Sequence, residues 1–244
     1  MNIKNAIVNF SIIIILVPIL NHANGGVVSD ELVPATDLYS LVVAPDPYYV
    51  TLRELLVGEH RYRKCQIVAI PSFQNEWAVY LIRNNGKSRL IVKVLKKHLW
   101  TEMMREISDD GKKESYSVNA KTQTIALSKL SKQVERHSIS ISERTADALE
   151  KAWELILARV RYKDEGGLGL DGISYHVSHW NRGIGSWSGT TWSPKKGTLP
   201  ADLVAIGYLL KELVGLSEKE IKSKENDIKI SAKHLIEKIT RLKN

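Results

Sequence analysis

The residues of this chain that could do chemistry crowd into one stretch, Asp171 to Pro194, which holds three of the six tryptophans and two of the seven histidines among many Gly and Ser. Asp171, Ser174 and His176 are the residue types of an orienter, a nucleophile and a base. If the stretch is a strand, however, Ser174 and His176 point the same way as neighbours along it, and no Gly-x-Ser-x-Gly turn exists to present a serine. His176 and His179 are metal-ligand types, but residues three apart on a strand face opposite sides, and spacing supplies no third ligand. The remaining chemistry is recognition. Asp171, Tyr175, His176, His179, Trp180, Trp187 and Trp192 form a candidate binding set, since amphipathic rings among small polar residues suit a ligand or a protein surface. The plain alternative is that these rings fill the core beneath a hairpin. No catalytic residue is assigned, and neither a metal nor a cofactor is expected.

The elements that must position this stretch follow from periodicity. Ile173, Tyr175 and Val177 alternate with Ser174, His176 and Ser178, which predicts a strand; Thr190 to Trp192 would be its return partner, with 181–189 as the loop. Upstream, the runs 62–70, 77–83 and 88–95 read as three strands of an antiparallel meander. Asn85-Gly86 supplies the positive φ angles of a tight turn between the last two. Leu90, Val92 and Val94 share one face of the third run, while Arg89, Ile91, Lys93 and Leu95 make the other face mixed. Residues 51–57 suggest one or two helical turns closed by Gly58, Tyr116 to Leu127 a further strand, and Asp110-Gly111 a second hairpin turn; the polar stretch 129–138 carries no assignable pattern.

Helices are expected at 142–161, with Ser140 and Glu143 at capping-box spacing and an apolar stripe through Leu149, Trp153 and Ile156, and at 200–214, closed by Gly215. A last helix from Ser217 places Ile221, Ile228, Leu235 and Leu242 seven apart, interrupted by Glu225. That stripe predicts packing on its own domain or pairing with a partner helix. The fold class is therefore α+β: an antiparallel meander covered by two or three helices, with a C-terminal amphipathic helix.

The N-terminus has the three parts of a secretory signal: a short start with Lys4, an apolar run from Ala6 to Leu20, and a small polar exit at 21–26. The run is about 15 residues, short of the roughly 20 that cross a bilayer as a helix. The expected organisation is a signal peptide at 1–25, an extended arm at 26–60, the α+β domain at 61–215 and the C-terminal helix at 216–244. No transmembrane anchor would remain after cleavage, and the product would be periplasmic or secreted.

Composition narrows the rest. With 43% hydrophobic and 25% charged residues the chain is globular rather than disordered. Its one cysteine, Cys65, excludes an intrachain disulfide framework and multi-cysteine metal sites, and reads as a buried small hydrophobe. The net charge is +8, and basic residues including Arg89, Lys93, Lys96 and Lys97 concentrate on the meander. They form a candidate basic face for an anionic envelope polymer, a lipid headgroup or another, acidic protein, with nucleic acid not expected outside the cytoplasm; the alternative is a solvated edge that deters strand-to-strand aggregation. The function expected is an exported, non-enzymatic binding protein of the bacterial envelope or exterior, of which an inhibitor or immunity protein is one subclass. The alternative is a secreted hydrolase acting through Asp171–Trp192.

Overall fold

The computed structural model describes residues 31–35, 47–58, 63–103, 130–161, 171–183 and 185–242. The signal segment, the run 116–127 and the Asp110-Gly111 turn lie outside them.

Six strands form one sheet: β1 (Lys64–Pro71), β2 (Trp77–Asn84), β3 (Lys87–Leu95), β4 (Val134–Ile141), β5 (Ile173–Asn181) and β6 (Gly185–Trp192). Their order is β4-β3-β2-β1-β5-β6, and every neighbouring pair is antiparallel. The meander expected from sequence is present. The β2–β3 turn sits at Asn85 (φ 50) and Gly86 (φ 72), where Asn and Gly tolerate the left-handed conformation. The β5–β6 hairpin docks beside β1, so β5 is an inner strand.

Three helices cover one face: α2 (Glu143–Leu157), α3 (Leu199–Lys211) and α4 (Glu218–Arg241), counted after α1 (Pro47–Leu52). Ile67, Val79, Leu81, Leu90, Val92, Tyr175 and Val177 meet Leu149, Trp153, Leu203, Ile206 and Leu235 in the main core. Trp153 is fully buried, and its indole N–H donates to Gln66 O at 3.1 Å. Most of the apolar stripe of α4 is spent inside the fold: Ile228, Ala232, Leu235 and Ile239 are buried against the helices and sheet, while Leu242 at its end is 58% exposed. Glu225, which interrupts the stripe, accepts a hydrogen bond from Ser142 N at 2.6 Å, and so fastens α4 to the start of α2.

The second face is covered in part, which the sequence does not announce. α1 and the π-helical turn Arg53–Val57 that continues it pack Tyr48, Leu52, Leu55 and Leu56 on Val68, Ala78 and Leu95, joined by Leu99 and Leu130. Hence 47–57 is helical within the expected arm, and β1 is buried almost continuously rather than alternately. Three local details also differ from expectation. The cap of α2 is Ser142, whose side chain accepts from Thr145 N, whereas Ser140 lies on β4. The polar stretch before it is β4, an outermost strand that needs few apolar residues. β6 begins at Gly185, earlier than expected, in a Ser- and Gly-rich segment that carries little strand signal. The Ser217–Glu220 capping box of α4 forms as its spacing predicts.

Candidate functional site

The Asp171–Pro194 stretch is the β5–β6 hairpin, and its alternation separates the residues that looked catalytic. Tyr175, Val177 and His179 face the helices; Ser174, His176 and Ser178 face the other side. His176 pairs with Val68 and Thr190 in register, is 2% exposed, and lies 6.2 Å ring to ring from Tyr49 of α1. Asp171 is exposed at the sheet end, five residues and therefore about 17 Å of strand from His176. Asp171, Ser174 and His176 thus do not converge, and His176 and His179 lie on opposite faces. Among the described residues no group of three His, Cys, Asp or Glu could hold a metal ion.

His179 has a structural task instead. β1 carries a bulge between Lys64 and Ile67, where Cys65 takes φ 48. The Cys65 N–H, turned out of the ladder, donates to His179 Nδ1 at 3.4 Å. That bond places the imidazole proton on Nε2, which lies 3.7 Å from Glu154 Oε1, beyond hydrogen-bond reach but within electrostatic range. Burial, reinforced by Lys64, holds the His179 pKa below its ordinary value against the pull of Glu150 and Glu154. Burial, reinforced by Glu150, pushes the Cys65 thiol well up, so it is the inert thiol its burial suggests and not a nucleophile. Nearby, Arg83 binds Glu143, Asp147 and Glu150 of α2, and these bonds outweigh partial burial to hold its guanidinium charged.

The other members of the binding set are dispersed. Tyr175 OH and Tyr208 OH share a 2.9 Å hydrogen bond, and burial with that bond raises the Tyr175 pKa. Trp180 lies under the Lys64 ammonium, 5.3 Å from its ring centre. Trp187 is half-buried and lines a shallow depression of about 450 Å³ with Leu157, Ala158 and Ser188. Nor do the four basic residues share one surface. Arg89 is exposed on the α1 side of β3. Lys93, half-buried on that side, donates to Leu55 O at 2.8 Å, and burial together with Arg63 and Arg136 brings its pKa down to about 8. Lys96 and Lys97 lie beyond the end of β3, each 3.7 Å from a carboxylate, Glu135 and Glu102.

Trp192 is the member that stands out, and two rings missed by the sequence reading join it. Phe73 (79% exposed), Trp100 (49%) and Trp192 (39%) are the exposed aromatic rings among the described residues. Phe73 lies in the β1–β2 turn, Trp100 in the helical segment 99–103 after β3, and Trp192 at the end of β6. Antiparallel register brings all three to one end of the sheet. That end is cross-tied. Ser72 N and Oγ donate to Gly172 O at 2.9 and 3.0 Å, while Ile173 N donates to Ser193 Oγ at 2.9 Å. Fully buried Glu76 accepts from Tyr48 OH at 2.8 Å and from Leu99 N at 3.0 Å. The Trp192 ring rests on Gly172, where a Cβ would come within 2.6 Å of it, and Ser193 turns the chain at φ 34. The legible signal was a lone aromatic in each of two polar segments, Pro71-Ser-Phe-Gln-Asn75 and Lys96-Lys-His-Leu-Trp100. Comparison with protein-family models, curated proteins and solved structures found no match to this chain.

Proposed function

We propose that this chain is an exported, non-enzymatic binding protein of the bacterial envelope or exterior, with the Phe73–Trp100–Trp192 end of its sheet as the contact surface. Export rests on the signal-like segment at 1–25. No helix among the described residues is long and apolar enough to cross a membrane. The observation that carries the reading is the contrast between two groups. The acid, base and nucleophile types are buried or set apart, whereas three large rings are held out to solvent on loops tied to one another. Ordering such rings before contact lowers the entropy lost on binding. The test is co-sedimentation of the purified mature chain with washed envelopes of the source cell. Wild type is expected to sediment with them. A Phe73→Ala/Trp100→Ala/Trp192→Ala variant should stay in the supernatant while still unfolding cooperatively in urea. Equal sedimentation of the two proteins would refute the assignment of this end.

A further inference from the structure

We infer that the partner of the aromatic end is the surface of an anionic lipid bilayer, an inference that rests on the reading above. The first ground is what stands between the rings. Lys96, Lys97, Lys132, Lys195 and Lys196 are all exposed at this end of the sheet. Lys132, Lys195 and Lys196 make no ion pair among the described residues, while Lys96 has a solvent-exposed pair with Glu135 and Lys97 lies 3.7 Å from buried Glu102. Among the described residues the exposed carboxylates there are Glu135, already opposite Lys96, and Asp171. Aromatic rings interleaved with unpaired lysines complement a bilayer interface: rings settle at headgroup level, and ammonium groups meet lipid phosphates.

The second ground is shape. Phe73 is 79% exposed at a turn tip, and Trp100 and Trp192 project from two other loops. Rings that protrude from separate tips would each need a matching pocket in a protein partner. A bilayer supplies no fixed pockets and closes around each ring. Trp192 keeps its attitude because it lies on Gly172, and Glu76 fixes the start of the segment that carries Trp100. The three anchors therefore meet a surface together without first being ordered.

The experiment is flotation of the mature chain with vesicles of phosphatidylcholine alone and of phosphatidylcholine with about one-third phosphatidylglycerol, an anionic lipid, read beside the envelope sedimentation. The expected result is flotation with the anionic vesicles, at least tenfold weaker with the neutral ones. Flotation should be lost in the triple aromatic variant. Lys195→Gln/Lys196→Gln should weaken it by more than about tenfold, since each lysine near an anionic surface contributes roughly a fivefold factor. Quenching of tryptophan emission by brominated lipid should fall in Trp192→Phe. No flotation with anionic vesicles, alongside ring-dependent sedimentation with envelopes, would overturn the bilayer as partner while leaving the contact surface in place; a protein or polymer would then be the occupant. Failure of both assays would overturn both readings. Flotation that survives loss of the rings would overturn the insertion and leave only non-specific attraction of a basic chain.

Discussion

Gly172→Ala tests the geometry on which the contact surface depends. Gly172 does not have a positive φ, so alanine fits the backbone and, by restricting the unfolded chain, would alone stabilise the protein by about 0.4–1 kcal/mol. The new methyl, however, would lie 2.5 Å from Ser193 Oγ and 2.6 and 2.8 Å from Cζ2 and Cε2 of Trp192, closer than carbon atoms approach. Overpacking of this kind costs about 1–3 kcal/mol. Because Trp192 is 39% exposed, its ring can swing outward, but that does not relieve the contact with Ser193 Oγ, which places the cost at about 1.5–2 kcal/mol. The net expectation is a loss of about 1 kcal/mol in urea melts, with the Trp192 resonance in 5-fluorotryptophan-labelled protein shifted toward the solvent-exposed value. In a Trp192→Ala background most of that loss should vanish, a coupling of about 0.5–1 kcal/mol in a double-mutant cycle. An alanine variant as stable as wild type, with an unmoved Trp192 resonance, would refute the claim that Gly172 seats the ring.

Three further outcomes are expected. Trp153→Ala should cost about 3–5 kcal/mol, since it empties a fully buried site and removes the donor to Gln66 O. His176→Ala should cost about 1–3 kcal/mol; a larger midpoint loss for His176→Ala than for Trp153→Ala would reverse the ranking of these sites. The His179 pKa is depressed by folding, so its stabilisation is complete above about 6.5 and is lost as pH falls through the folded value. Melts between pH 7.5 and 5 should steepen for wild type and flatten for His179→Gln, and equal slopes would contradict the bulge contact. Lys93, labelled by reductive methylation, should titrate near pH 8 by carbon NMR and move upward in Arg136→Gln. A value near the ordinary ~10.4 would show that burial and Arg136 do not act on it.

What the sequence made legible was local. Asn85-Gly86 specifies its turn, Ser217 and Glu220 specify their cap, and the stripe of α2 specifies which side is core. The alternation in 173–178 correctly separates Ser174 and His176 from Tyr175 and Val177. It does not say that both sides of β5 are covered, and that decides whether His176 is a surface group or a buried one. The element over His176, α1, lies more than a hundred residues earlier. β4 was illegible for the opposite reason, since an outermost strand with exposed Glu135, Arg136 and Ser140 needs no apolar alternation. The aromatic end was illegible because Phe73, Trp100 and Trp192 meet only through register across the sheet.

The Cys65–His179–Glu154 contact is where residue type most misleads. The bulged Cys65 N–H needs an acceptor, and His179 Nδ1 supplies it only while neutral. A base that must stay unprotonated to keep its strand closed cannot cycle a proton without opening the fold. A thiol pushed up by burial cannot attack a substrate at neutral pH. The same chemistry that would make these residues catalytic in a cleft makes them stabilising in a sheet. The order that remains unspent is at the other end, where Glu76, Ser72 and Gly172 hold exposed rings still without any gain inside the fold from their exposure. Trp100 meets Tyr48 edge to face at 5.9 Å and Trp192 rests on Gly172, so part of each ring is used inside the fold, and the areas left exposed are those that the proposed contact would bury.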